Sequence, residues 1–213
     1  MESIIFDLDG TLWDSRQTIA EAWTTAVQQQ GYEERVFTKE DIGSLMGLQI
    51  PVIAEKLLPM ESVERRKEIM DACAKEDQVM IREQGGVLFP NLEETLRELK
   101  KSYRLFIVSN CEDGYIEAFY AAHGLEKYFE DFENPGRTGL SKGENIQLIM
   151  ERNAITSAVY VGDTQGDLDA ARHAGIPFIY AAYGFGSPES YDYRLETFEQ
   201  LDELIKQFED GGL

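Results

Sequence analysis

Cysteine is scarce. The 213 residues include two, Cys73 and Cys111, too few for a disulfide framework, so a reduced, cytoplasmic protein is the expectation. Histidine is equally rare, and His123 and His173 leave little scope for a multi-histidine metal site or a histidine-cluster phosphatase. No apolar run approaches the roughly 18 residues of a spanning helix. The opening stretch, Met1 to Asp7, has no basic segment ahead of its short apolar run and does not read as a signal peptide. Positive charge is outnumbered two to one, 20 Lys+Arg against 40 Asp+Glu, for a net charge of −20. Such a surface repels phosphate backbones and anionic lipid, which argues against generic nucleic-acid or membrane binding.

A core is amply provided for. Hydrophobic residues make up 43% of the chain and aromatics 11%, which excludes a disordered polymer despite the charge. The length fits one domain, or one domain carrying a smaller inserted one.

Four short apolar runs, Ser3–Asp7, Arg104–Ser109, Ala158–Gly162 and Pro177–Ala181, have the composition of buried parallel strands, with helical patterns between them. The expected fold is therefore α/β: a Rossmann-like, doubly wound parallel sheet. The first three runs end in polar clusters: Asp7-Leu8-Asp9-Gly10-Thr11, Ser109-Asn110 and Gly162-Asp163-Thr164. Ligands of open parallel sheets bind beyond the carboxyl ends of the strands, so these clusters can meet in one crevice.

Between Ser15 and Leu88 the pattern is helical throughout. Thr18–Gln30 puts Ile19, Ala22, Trp23, Ala26 and Val27 on one stripe, with Ser15 as a candidate N-cap and Gly31 as the stop. Thr38 and Asp41 have capping-box spacing, and Gln49–Leu58 and Ser62–Gln84 read as two further helices. Pro90 opens the next helix, which carries Leu92, Leu96 and Leu99. This predicts a core of residues 1–14 and 89–213 and a small all-helical cap over 15–88, hinged near Asp14-Ser15 and Gly85-Gly86. The cap span holds 9 basic and 13 acidic residues, so most of the negative charge lies on the core. A nearly neutral cap suits closure over an anion, although ordinary helix-surface charge accounts for any single residue in it.

Asp7 and Asp9, two apart at a strand end, are two like charges that a divalent cation or a shared proton would relieve; an all-oxygen site suits Mg²⁺. Asp163 and Asp167 can complete such a site, while an aspartate near a helix start also serves as a simple cap. Ser109 and Asn110 offer a hydroxyl and backbone N–H groups to an anion, against the alternative of routine turn capping. Lys142 sits in the first turn of a predicted helix, where it opposes the helix dipole. That misfit calls for a compensating role, such as pairing with phosphate and a carboxylate, against the alternative of a solvated lysine.

Asp7-Leu8-Asp9-Gly10-Thr11, the later Ser109-Asn110, Lys142 and Gly162-Asp163-x-x-x-Asp167 together resemble the haloacid dehalogenase-like hydrolase superfamily, in order and over almost the whole chain. The stretch Asp163 to Pro177 and the segment Tyr183-Gly184-x-Gly186 are similar to the phosphoglycolate phosphatase-like branch. The resemblance implies a Mg²⁺-dependent phosphatase acting on a small phosphorylated metabolite through an aspartyl phosphate. Asp7 would be the nucleophile and Asp9 the general acid and base. Ser109, Asn110 and Lys142 would hold the phosphoryl group. Asp7, the Asp9 main-chain carbonyl and Asp163 would hold the metal, supported by Asp167. Three departures stand out: Gly143 follows Lys142 where proline is common, Asn91 follows Pro90 where glycine is common, and Trp13 replaces a smaller aliphatic. Trp13 is expected to be a packed aromatic. The acid at Asp9 argues against the branches that lack one there. A phosphosugar mutase resembling β-phosphoglucomutase and a non-catalytic phosphoryl-binding module remain the alternative readings. Cap residues Leu45 to Leu48, Lys39 and Lys56 are candidates for specificity, and a monomer is expected.

Overall fold

A computed structural model of the chain describes residues 1–209. In chain order it contains β1 (Ser3–Phe6), β2 (Trp13–Asp14), α1 (Arg16–Gln29), α2 (Lys39–Gly43), α3 (Ile50–Leu57), α4 (Val63–Gln84) and β3 (Val87–Leu88). There follow α5 (Leu92–Leu99), β4 (Arg104–Val108), α6 (Tyr115–His123), β5 (Asp131–Glu133), α7 (Pro135–Thr138) and α8 (Lys142–Arg152). The chain closes with β6 (Ala158–Gly162), α9 (Gln165–Ala174), β7 (Phe178–Ala181), β8 (Tyr193–Leu195) and α10 (Leu201–Glu209).

Six strands form one parallel sheet in the order β5-β4-β1-β6-β7-β8. All four expected strands are present, as β1, β4, β6 and β7. The two edge strands β5 and β8 were not anticipated. Each has three residues, too few to show a pattern, and short edges of this kind discourage pairing with another chain.

Alternation along the strands builds two separate cores. Ile4, Phe6, Leu105, Ile107, Val159 and Ile179 face α5, α6 and α10. Ile5, Phe106, Val108, Tyr160 and Phe178 face α8 and α9, where Ile146, Ile149 and Leu168 meet them. Helices on both faces bury every strand of the sheet centre, which explains why those strands are apolar in unbroken runs rather than in alternation.

The helical insertion lies between β2 and β3. These two strands pair antiparallel, Trp13 opposite Leu88 and Asp14 opposite Val87, so the tethers are tied to each other. The expected all-helical span of 15–88 thus ends in a short strand. Within the insertion α1 packs on α4 and α2, and α4 also packs on α6 of the core. One hydrophobic cluster therefore runs from Ile69 and Trp23 of the insertion into Phe119 and Leu96 of the core. Trp13 is fully buried, edge-on to Phe119 with ring centroids 4.9 Å apart, and is a packing residue. Among the described residues, no helix is long and apolar enough to cross a membrane.

Candidate active site

β1 is the sheet's central strand, with β4 on one side and β6 on the other. The chain fills the β4 side first and then crosses to the β6 side, which leaves a crevice at the carboxyl end of β1. Asp7 is the first residue beyond β1, and its N–H donates to the Val161 carbonyl of β6 at 2.8 Å. Ser109 follows β4 and Asp163 follows β6, so strand order alone brings the three polar clusters together.

The charged centre is buried. Lys142 Nζ donates to Asp7 Oδ1 at 2.9 Å and to Asp167 Oδ1 at 2.6 Å. Lys142 is 4% exposed and Asp7 2%, while Asp163 and Asp167 are fully buried. A lone ammonium there would be costly, and burial does oppose its charge. Asp167 and Asp7 outweigh that penalty and raise the Lys142 pKa. The first-turn misfit is thereby resolved: the capping box of Ser141 and Glu144 satisfies the helix start, and the lysine charge is spent on two carboxylates.

Asp167 serves both as a helix cap and as a partner of Lys142. Its Oδ2 accepts from the Asp163 and Thr164 N–H groups and from Thr164 Oγ1, closing a capping box at α9. Its Oδ1 takes Lys142.

Asp163 sits in a cradle of backbone. Its Oδ2 accepts from the Phe185 N–H at 2.6 Å and the Gly186 N–H at 3.1 Å. A Cβ on Gly10 or on Gly184 would lie 2.7 Å from Asp163 Cγ, so the Gly184-x-Gly186 segment is needed for the close approach of its chain. Asp163 Oδ1 is buried with no hydrogen-bond partner. Ligand atoms of Asp7, Asp163 and Asp167 all lie within 4.8 Å of one another. An orphaned carboxylate oxygen within an all-oxygen donor set fits a hard divalent cation. Without one the cluster is strained electrostatically. Burial, with repulsion from Asp167, raises the Asp7 pKa to about 7 against the pull of Lys142. Burial, then Asp167 and Asp7, push Asp163 up as well.

The Asp9 carboxylate stands outside this group. Spacing suggests that Asp7 and Asp9 point the same way, and both line one cleft, although β1 ends at Phe6 and the chain is already turning at Asp9. Asp9 Oδ1 instead accepts from Ser15 Oγ and from Tyr115 Oη, the latter at 3.0 Å. Burial raises its pKa, partly offset by those hydrogen bonds. Ser15 occupies the N-cap position of α1 but makes no side-chain cap bond there, because its hydroxyl is given to Asp9. No sequence signal marked Tyr115, which reaches the site from a helix 106 positions away.

Asp7, Asp9, Ser109, Asn110 and Lys142 line one cleft with Leu45, Met46, Gly47 and Leu48 of the insertion. Asn110 Nδ2 donates to the Gly47 carbonyl at 3.0 Å, bridging core and insertion across the cleft. Lys39 and Lys56 do not line it; Lys39 pairs with Asp14 at 2.8 Å.

Residues 4–181 match the family model described as haloacid dehalogenase-like hydrolase. The chain belongs to this family. Similar proteins include the phosphoglycolate phosphatase of Vibrio parahaemolyticus, 28% identical over 216 residues, covering 95% of this chain and 94% of the relative. The phosphoglycolate phosphatase of Escherichia coli K12 is 28% identical over 221 residues, covering 90% and 85%. Among solved structures, this hydrolase superposes on a haloacid dehalogenase-like family protein from Streptococcus pneumoniae with a TM-score of 0.82 at 22% identity, covering 96% and 98% of the two chains. CbbY from Rhodobacter sphaeroides, solved in complex with phosphate, gives 0.78 at 20% identity and covers 94% and 96%. The likeness to these two structures is one of fold.

Proposed function

We propose that this haloacid dehalogenase-like hydrolase is a Mg²⁺-dependent phosphatase that hydrolyses a small phosphate monoester through an aspartyl phosphate formed on Asp7. The observation carrying this reading is the pairing of Lys142 with Asp7 beside the unpartnered Oδ1 of Asp163. The phosphoglycolate phosphatases similar to it over nearly their whole length point to the same class of reaction.

The residues divide the work as follows. Asp7 attacks phosphorus with a carboxylate oxygen, and the bond from phosphorus to the leaving oxygen breaks. Asp9 gives that oxygen a proton, the task for which a buried carboxyl with a raised pKa is suited. In the second step Asp9 takes a proton from the water that attacks the phosphorylated Asp7, and Asp7 is freed. Tyr115 and Ser15 hold Asp9 in place for both steps. Lys142, Ser109 and the Asn110 backbone hold the phosphoryl oxygens. Asp7, the Asp9 carbonyl and Asp163 would hold Mg²⁺, with Asp167 supporting. When bound, the cation would neutralise phosphate charge and keep Asp7 ionised. The helical insertion acts as a cap over residues 15–88, excluding water during the first step and readmitting it for the second.

The test is phosphate release from p-nitrophenyl phosphate and a panel of small esters, with and without Mg²⁺, alongside Asp7→Asn. Release that needs Mg²⁺ and Asp7 supports the reading; no release from any ester overturns it. Glucose 1-phosphate with a bisphosphate primer, run in parallel, separates hydrolysis from mutase transfer.

A further inference from the structure

The cleft above Asp7 is lopsided in charge. Among the described residues lining it, Lys142 is the one base, and its ammonium is already engaged by Asp7 and Asp167. The other ionisable side chains around it, apart from the Tyr115 phenol and the Cys111 thiol, are the carboxyls of Asp7, Asp9, Asp77 and Glu112. The insertion's wall is apolar, built from Ile42, Leu45, Leu48, Ile53 and Met70.

Two polar side chains interrupt that wall: Gln78, whose Nε2 donates to the Asp113 carbonyl at 2.6 Å, and Asp77. Asp77 of α4 is 7% exposed, and its Oδ2 accepts from Trp23 Nε1 at 2.8 Å. Its Oδ1 is buried with no hydrogen-bond partner. The fold does not need this carboxyl for a helix cap or an ion pair, since Asp77 lies in the interior of a 22-residue helix. A buried oxygen left without a partner is expensive, and a bound ligand offering a donor would satisfy it.

Resting on the phosphatase reading above, we propose that Asp77 selects the leaving alcohol. That alcohol carries no second anionic group, and it presents a hydrogen-bond donor, hydroxyl or ammonium, to Asp77 Oδ1. A hydroxyl suits either protonation state of Asp77, and an ammonium pairs with the ionised form. A carboxylate or second phosphate would enter an apolar pocket with no free base, where nothing offsets the desolvation of its charge. The catalytic residues are those of a phosphoglycolate phosphatase-like core, whereas this wall is a feature of the inserted helices.

The experiment compares kcat/KM of the Mg²⁺-loaded wild-type enzyme for glycerol 3-phosphate, phosphoethanolamine, phosphoglycolate and p-nitrophenyl phosphate. One or both donor-bearing esters are expected to exceed phosphoglycolate by about tenfold or more, and their ranking tells hydroxyl from ammonium. Asp77→Asn is expected to lower kcat/KM for the preferred ester about tenfold relative to p-nitrophenyl phosphate, and to narrow the gap to phosphoglycolate. A wild-type preference for phosphoglycolate overturns the inference and leaves the phosphatase reading intact. An equal loss on all four esters in Asp77→Asn also overturns it, by reducing Asp77 to a packing role. Should that variant not fold, the wild-type ranking decides alone. No hydrolysis of any of the four esters by the wild type overturns both readings.

Discussion

Lys142 Nζ and Asp7 Oδ1 lie 2.9 Å apart, although 135 positions separate them in the chain. The pair is dry, with side-chain exposures of 4% and 3%, so neither charge is solvated by water. Removing the lysine strands Asp7 and Asp167 as uncompensated carboxylates. Lys142→Met is therefore expected to lower stability by about 3–5 kcal/mol in urea unfolding without added metal. Its phosphatase rate is expected to fall by about a hundredfold or more.

Asp7→Asn should behave in the opposite way on stability. It keeps the volume and a hydrogen-bonding oxygen for Lys142, and it removes one of three crowded acids, a group whose pKa is raised by burial first and then by repulsion from Asp167. The expected outcome is a Tm equal to or above wild type together with loss of turnover, measured by thermal melts beside the phosphate-release assay. A large fall in Tm would contradict the repulsion argument.

Metal binding should appear as stability. Saturation at about a hundred times Kd contributes about 2.7 kcal/mol to a site present only in the folded state. Wild-type Tm is expected to rise with Mg²⁺ and to return with a chelator. Asp163→Asn, which blunts the orphaned Oδ1, is expected to lose most of that rise.

Contact across the cleft should govern turnover. Gly47 has φ +78°, and a Cβ there would come 3.0 Å from Thr164 Cγ2, while its carbonyl takes the Asn110 amide. Gly47→Val strains the left-handed backbone and pushes the loop off the core. Its expected effect is a fall of several-fold or more in kcat/KM. Combined with Asn110→Ala, the loss should be less than the product of the two single effects, because both remove the same contact.

Asp77 carries a pH signature. Burial pushes its pKa well above the usual carboxylate range, against the Trp23 hydrogen bond. The folded state then holds a proton that the unfolded state releases above about pH 4, so this group subtracts stability as pH rises from there. Asp77→Asn removes the penalty. Relative to wild type, the variant is expected to gain stability between pH 4.5 and 7.5, read from urea midpoints at the two pH values. A constant difference would show Asp77 to be ionised in the folded protein.

The legible parts of this protein are those encoded by neighbours. The apolar runs at β1, β4, β6 and β7, the amphipathic stripe of α1 and the Thr38–Asp41 capping box each arise from contacts within a few residues. The polar residues at the strand ends were readable for the same reason, and the parallel sheet then dictates that they converge. The strands β5 and β8 escaped because three residues carry no period. Ser15 takes the N-cap position that its sequence suggests but makes no side-chain cap bond, and its hydroxyl goes to Asp9, a partner that local sequence around α1 does not reveal.

The sequence by itself determined the class of fold, the helical insertion, and which residues would gather at the carboxyl edge of the sheet. Strand content and motif order are local properties, and a parallel sheet has one such edge. Only the tertiary structure decided the partnerships: Lys142 with Asp167, Tyr115 with Asp9, and Asp77 in the wall of the cleft with one oxygen unclaimed. Those depend on how far apart packed helices hold their side chains. A carboxyl on a helix face looks the same in sequence whether it meets water, tryptophan or substrate.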